Sequence, residues 1–219
     1  MPRIQLRKPG ISRRGLVLDL PLYKLDGSSF MDRSAYGHLA TVTGAIWRPD
    51  GRGFEGDDYV ELTSTQMNYT TGAFSIWAWV KVTSLADNRV ILIRGLSLAD
   101  GYFLYIGSGG EIIFYTYQAS ASQVSYSAAG TITTGNWNLI GVTRSGSSAR
   151  VFKNVVDVTN TVGTHTNPLT NVVRTVKIGI YDDKVSSPMV GIIREVGSVN
   201  RVLSQGEWQR LYLATKRYQ

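Results

Sequence analysis

The chain has 219 residues, of which 43% are hydrophobic and 18% charged, with no cysteine and a net charge of +7. That length holds one sizeable domain, and the lack of cysteine excludes disulfides and thiolate metal sites. No apolar stretch has the length of a bilayer span or of a signal-peptide core, so the expectation is a chain that stays on the side of the membrane where it is made.

Charge is uneven along the chain. Residues 1–14 carry Arg3, Arg7, Lys8, Arg13 and Arg14 and no acid, which reads as a basic arm. Residues 208–219 add Arg210, Lys216 and Arg217. Taking the +5 and +3 of these ends from the total of +7 leaves the body close to −1. The arm suits an acidic protein neighbour. It has no base-reading motif and no basic stripe interleaved with aromatics, so specific nucleic-acid recognition is not expected.

After the arm, short segments bounded by Gly, Asn, Asp or Ser follow one another. FEGDDYVEL (54–62) places four acids in a turn that feeds a strand. FSIWAWVKV (74–82), RVILIRG (89–95), GYFLYIG (101–107) and EIIFYTYQ (111–118) alternate as strands do, and GSGG (107–110) reads as a hairpin turn. NLIGVTRSG (138–146), ARVFKNVVDV (149–158), TVKIGIYD (175–182) and VGIIREVGSVNRVL (190–203) continue the pattern, with SGSS (145–148) as a second turn. Only LSQGEWQRLYLAT (203–215) has a helical period, with Ser204 and Glu207 at capping-box spacing. No repeat is present. The pattern predicts an all-β sandwich of a dozen or so strands with one short C-terminal helix.

Several segments, in order, resemble the laminin-G-like jelly rolls of the concanavalin A-like lectin/glucanase superfamily. They are the strand GLVLDLPL (15–22), Asp32, Ser34 and Gly37 in MDRSAYGH, and FEG before the Tyr-Val strand. Gly135 and Trp137, the hairpin VFKNVV, KIG (177–179) and GIIREVGSVNRVLSQGEW (191–208) complete the set. The resemblance implies a two-sheet antiparallel jelly roll over residues 15–219, with the arm outside it. It also implies that Trp79 and Trp137 are structural. Arg194 and the Asn154–Val155 turn depart from the pattern, which has an acid and Asn-Gly there.

Three chemistries were open to the acidic stretch. The resemblance brings a glucanase motif of carboxylates along one strand, but Glu55 and Glu61 would lie roughly 20 Å apart on an extended strand. A retaining glycosidase needs about 5–5.5 Å. Glycoside hydrolysis is therefore the remote alternative, and a non-catalytic protein is expected. Calcium, which wants several convergent oxygens, is the one candidate ion, with Asp57 and Asp58, or Asp182 and Asp183, as its ligands. The third reading is a solvated turn. His38 and His165 are read as solvated loop residues.

Tyr115 and Tyr117 share a strand face, with Tyr105 and Tyr126 on neighbouring candidate strands. Flat rings with polar tips suit a sugar or a protein partner. Members of the resembled family occur in secreted adhesive proteins and on phage and virus particles. The basic arm and the absent signal peptide and cysteine favour the second setting. The expectation is a multi-copy virion decoration or surface protein, tethered through Arg3, Arg7, Lys8, Arg13 and Arg14 to a capsid or other virion protein. The alternative is an extracellular lectin-like adhesion module for cell-surface glycans.

Overall fold

A computed structural model describes residues 12–24, 27–70, 72–118, 121–166, 168 and 174–216. The strands are β1 (Leu16–Leu20), β2 (Ser29–Met31), β3 (Leu39–Thr43), β4 (Ile46–Arg48), β5 (Gly51–Glu55) and β6 (Tyr59–Leu62). Then follow β7 (Phe74–Val82), β8 (Arg89–Leu96), β9 (Asp100–Ile106), β10 (Ile112–Gln118), β11 (Ala121–Ser127) and β12 (Trp137–Ser145). The series ends with β13 (Ser148–Lys153), β14 (Val156–Asp157), β15 (Thr159–Thr161), β16 (Val176–Ile178) and β17 (Val190–Val199), before helix α1 (Gln205–Lys216).

Sheet A runs β14-β13-β12-β7-β17-β5-β4, with β1 also on β17, and sheet B runs β15-β11-β10-β9-β8-β16-β6-β3-β2. Every strand pairing is antiparallel. The expected two-sheet sandwich with one C-terminal helix is therefore present. Among the described residues no helix is long and apolar enough to cross a membrane.

Alternation builds the layers. On β7, Phe74, Ile76, Ala78, Val80 and Val82 face sheet B and join Phe54, Val60, Leu62, Leu104 and Phe114 in the main core. Trp77 and Trp79 point to the other face of sheet A and form a second core with Leu139, Phe152, Trp208 and Leu211. Helix α1 covers that face: Trp208 stacks on Phe152 at 4.8 Å and Tyr212 on Trp79 at 5.5 Å. Glycine makes room for the rings. A Cβ at Gly141 would lie 2.4 Å from the Trp208 ring, and one at Gly197 would lie 2.1 Å from Trp77.

The helix starts as the sequence predicts. Glu207 N donates to Ser204 Oγ, Ser204 N donates to Glu207 Oε2, and Arg201 adds a bidentate pair at 2.7 and 2.8 Å. The Arg201 bonds, reinforced by Ser204, hold the Glu207 carboxyl down at about 2.

Three predicted strands are shorter than read, and VGIIREVGSVNRVL ends as a strand at Val199. ARVFKNVVDV is the hairpin that the resemblance implies, β13 to β14, turning on Asn154 and Val155 with φ of 47° and 76°. A β-branched residue is strained there, and its side chain packs against the second core. TVKIGIYD pairs only over 176–178, because Gly179 turns with φ of 91°.

Candidate functional site

Strands β9, β10 and β11 place their alternate residues on the face of sheet B turned away from the main core. Register sets Tyr115 opposite Phe103 and Val124, and Ile113 opposite Tyr105 and Tyr126. All four candidate tyrosines thus share this face. The Tyr105 and Tyr115 rings are near-parallel at 5.7 Å and 4°, and Tyr115 and Tyr117 at 5.4 Å and 12°. Phe103 tilts against Tyr117 and Tyr181, and Val90 and Ile93 complete the cluster.

Exposure grades along the ladder. Tyr117 is 7% exposed and acts as its floor, whereas Tyr105, Tyr115 and Tyr126 are half-exposed. Burial, followed by the neighbouring Tyr115, pushes the Tyr105 phenol well above its ordinary value, so it stays a neutral donor. Beside Tyr115 and Tyr126 lies an open pocket of about 310 Å³, lined also by Asn88, Ser108, Glu111, Ile113 and Val124.

On the other flank the same face carries ion pairs. Buried Lys177 donates to Asp182 Oδ1 at 2.6 Å and lies 3.5 Å from Glu61 Oε1. Arg174 bridges Asp100 and Asp182 at 3.2 and 2.9 Å. Burial raises the Glu61 carboxyl, but hydrogen bonds from Thr175 and Lys184 and the Lys177 charge outweigh it and hold the group below its ordinary value.

The acidic stretch is a corner between layers. Glu55 ends β5 in sheet A and pairs with Arg48 at 2.9 Å, while Glu61 lies on β6 in sheet B. The turn expected from the sequence lies between β5 and β6, with Gly56 at φ 138°. Val60 and Leu62 face the core. Asp58 Oδ2 accepts Glu55 N at 2.7 Å, and Asp57 is exposed. Asp182 is committed to Arg174 and Lys177, and Asp183 caps its own turn by accepting Val185 N, Ser186 N and Ser186 Oγ. Among the described residues no three His, Asp or Glu side chains gather as a metal would require.

Both histidines are buried, which corrects their reading as solvated loop residues. His38, 8% exposed, joins Asp32 Oδ2 through Nδ1 at 2.8 Å and Ser64 Oγ through Nε2 at 2.9 Å. The order Asp-His-Ser has the connectivity of a nucleophilic triad. Here Ser64 is 3% exposed and its Oγ accepts Met67 N, while Asp32 accepts the backbone of Ser34 and His38. The relay ties the loop between β2 and β3 to the segment after β6, and Ser64 is buried within it. The MDRSAYGH motif encodes this tie.

His165, 1% exposed, lies between sheet-B side chains, with Nδ1 2.9 Å from Thr116 Oγ1 and Nε2 2.8 Å from Ser125 Oγ. Thr116 Oγ1 donates to Gln123 Oε1, so it accepts from His165 Nδ1–H, and Nε2 accepts from Ser125. Burial, then the Arg144 charge, lowers this imidazole to about 4.

Of the arm residues, Arg13 and Arg14 are exposed beside β1, and Arg14 O accepts from Arg201. Arg3, Arg7 and Lys8 lie outside the described residues. Arg194, where the resembled pattern has an acid, is buried with its guanidinium 4.2 Å over the Tyr23 ring.

A family model for the concanavalin A-like lectin/glucanases superfamily matches residues 54–207. The chain belongs to this superfamily. Among curated protein sequences none matches it. Among solved structures it is similar to the botulinum neurotoxin serotype D ligand binding domain in complex with N-acetylneuraminic acid (TM-score 0.71, 14% identity, 93% of this chain and 52% of that one). It is also similar to Trypanosoma rangeli sialidase in complex with sialic acid (TM-score 0.70, 19% identity, 93% and 33%). A third is the binding domain of botulinum neurotoxin serotype G (TM-score 0.70, 15% identity, 90% and 50%). The chain spans about half of the toxin chains and a third of the sialidase chain, and at these identities the superfamily likeness is one of fold.

Proposed function

We propose that this superfamily member is a non-catalytic glycan-binding module whose ligand lies on the tyrosine face of sheet B. The observation that carries the reading is the near-parallel Tyr105–Tyr115–Tyr117 ladder running beside an open pocket. Sugar rings present apolar C–H faces that pack on flat aromatics, while hydroxyls reach phenol, amide and carboxylate groups at the edge. The toxin domain similar to this chain holds N-acetylneuraminic acid, and cell entry of botulinum neurotoxin type C, also similar in structure, depends on interaction with two ganglioside molecules. The carboxylates of Glu55 and Glu61 stand in different sheets and each has its own cation, which argues against a hydrolytic pair.

Tyr115→Ala is expected to weaken glycan binding at least about tenfold, or about 1.4 kcal/mol, with the fold retained by near-ultraviolet circular dichroism. Glycan-array hits followed by titration calorimetry measure it. An unchanged affinity in the variant, or no glycan bound by the unmodified chain, removes the proposal.

A second reading, docking of the basic arm on an acidic neighbour in a virion, is favoured by exposed Arg13 and Arg14 at the start of the sandwich. Removing residues 1–14 is expected to abolish incorporation into particles and leave the sandwich folded. Incorporation of the shortened chain would end this reading.

A further inference from the structure

The pocket beside Tyr115 has a chemical bias that its sialic-acid-binding structural neighbours do not predict. Its side chains include one carboxylate, Glu111, and no Lys, Arg or His. Arg89, adjacent in sequence to the lining residue Asn88, turns its guanidinium to Ser84 O and Pro188 O at 2.8 and 3.1 Å. Among the described residues no cation pairs with Glu111.

The carboxylate is also held in place by space. Its Oε2 sits 2.5 Å from where a Cβ at Gly107 would be, and its Oε1 sits 2.5 Å from a Cβ at Gly109. Neither glycine has a positive φ, so the backbone does not demand them. What the two glycines provide is room for the Glu111 side chain to fold back over the turn. Asn88 Oδ1 accepts Ser108 N at 3.2 Å, which orients the amide so that Nδ2 is its available donor.

Building on the glycan reading, we propose that Glu111 makes this pocket select uncharged sugar units and reject acidic ones. An ionised carboxylate only accepts hydrogen bonds, and its two oxygens match two neighbouring sugar hydroxyls. A sialic or uronic acid placed on Tyr115 brings a second negative charge to the site with no lining cation to offset it, and like-charge juxtaposition disfavours binding. The ligand class is therefore a neutral hexose or hexosamine residue with two adjacent free hydroxyls.

The test uses the full chain on an array that carries each neutral oligosaccharide beside its sialylated form. The expected result is binding to neutral forms at least about tenfold tighter than to their sialylated partners. Glu111→Gln, which keeps shape and loses charge, should narrow that ratio several-fold, and Glu111→Lys should invert it. Gly109→Ala, which keeps the charge and displaces the carboxylate, should weaken neutral binding. Preference of the unmodified chain for sialylated forms, with Tyr115→Ala still weakening binding, overturns this inference and leaves the glycan site standing. A ratio unmoved by Glu111→Gln overturns it likewise. Binding to neither class removes the glycan reading itself, and this inference with it.

Discussion

Trp208→Ala is expected to lower the unfolding free energy by about 3–5 kcal/mol. The ring is fully buried, stacks on Phe152 at 4.8 Å and occupies the space left free by Gly141. Removing it opens a cavity between helix α1 and sheet A, and Trp77, Trp79 and Leu139 lose packing atoms with it. Small domains are stable by only about 5–15 kcal/mol, so the variant sits near the limit of folding at room temperature. Trp208→Phe keeps an aromatic ring on Phe152 and is expected to cost clearly less. Guanidinium titrations followed by circular dichroism measure both. A loss below about 1 kcal/mol for the alanine variant would mean that the helix is not part of the cooperative unit.

Stability is expected to fall as pH drops from about 6.5 to about 4, with His165 supplying about 3 kcal/mol of the change. The sign follows from where the proton is bound. Folding lowers the imidazole from its ordinary 6.5 to about 4, so across that window the unfolded chain takes up a proton that the folded chain refuses. The contribution is complete above 6.5, declines through the window and is gone below about 4. Structurally, a second ring proton would face Ser125, whose hydroxyl donates to Nε2 in the neutral arrangement, and it would add charge beside Arg144. His165→Gln stays neutral throughout, so its denaturation midpoint should slope less between pH 6.5 and 4 than that of the parent. Parallel slopes would show that other groups carry the acid sensitivity.

Local pattern in the sequence carries much of this molecule. Alternation on β7 announces two buried faces, and Ser204 with Glu207 marks the helix start to the residue. The tyrosine face was legible as well, because Tyr115 and Tyr117 are two apart on one strand and their partners sit on the next strands. What escaped depends on contacts between distant segments. That Glu55 and Glu61 end up in different sheets follows from the crossing between β5 and β6, which local pattern does not show. His38 and His165 sit in turn-like sequence, and their burial comes from Ser64 and from Thr116 and Ser125. Glu111 carries no such signal, because its pocket is assembled from Asn88 before β8, the turn between β9 and β10, and strands β10 and β11. The glycines at 107 and 109 read as a turn signal, and nothing in the sequence distinguishes a glycine kept for backbone freedom from one kept for a neighbour's side chain.

The pairing of β1 with β17 also governs when the chain can fold. Leu16 meets Val199 and Leu20 meets Val196, so β1 has its strand partner only once β17 is made. β17 also lies between β5 and β7, and until it arrives sheet A is three separate pieces: β14-β13-β12-β7, β5-β4 and β1 alone. A chain emerging from the ribosome therefore exposes the unpaired edges of β5 and β7 from the completion of β7 at Val82 until β17 is made at Val190–Val199. Closure by so distant a contact is slow, and exposed edges invite pairing between chains. Recombinant yield should accordingly respond more to chaperone supply and low temperature during synthesis than the stability of the finished sandwich would suggest.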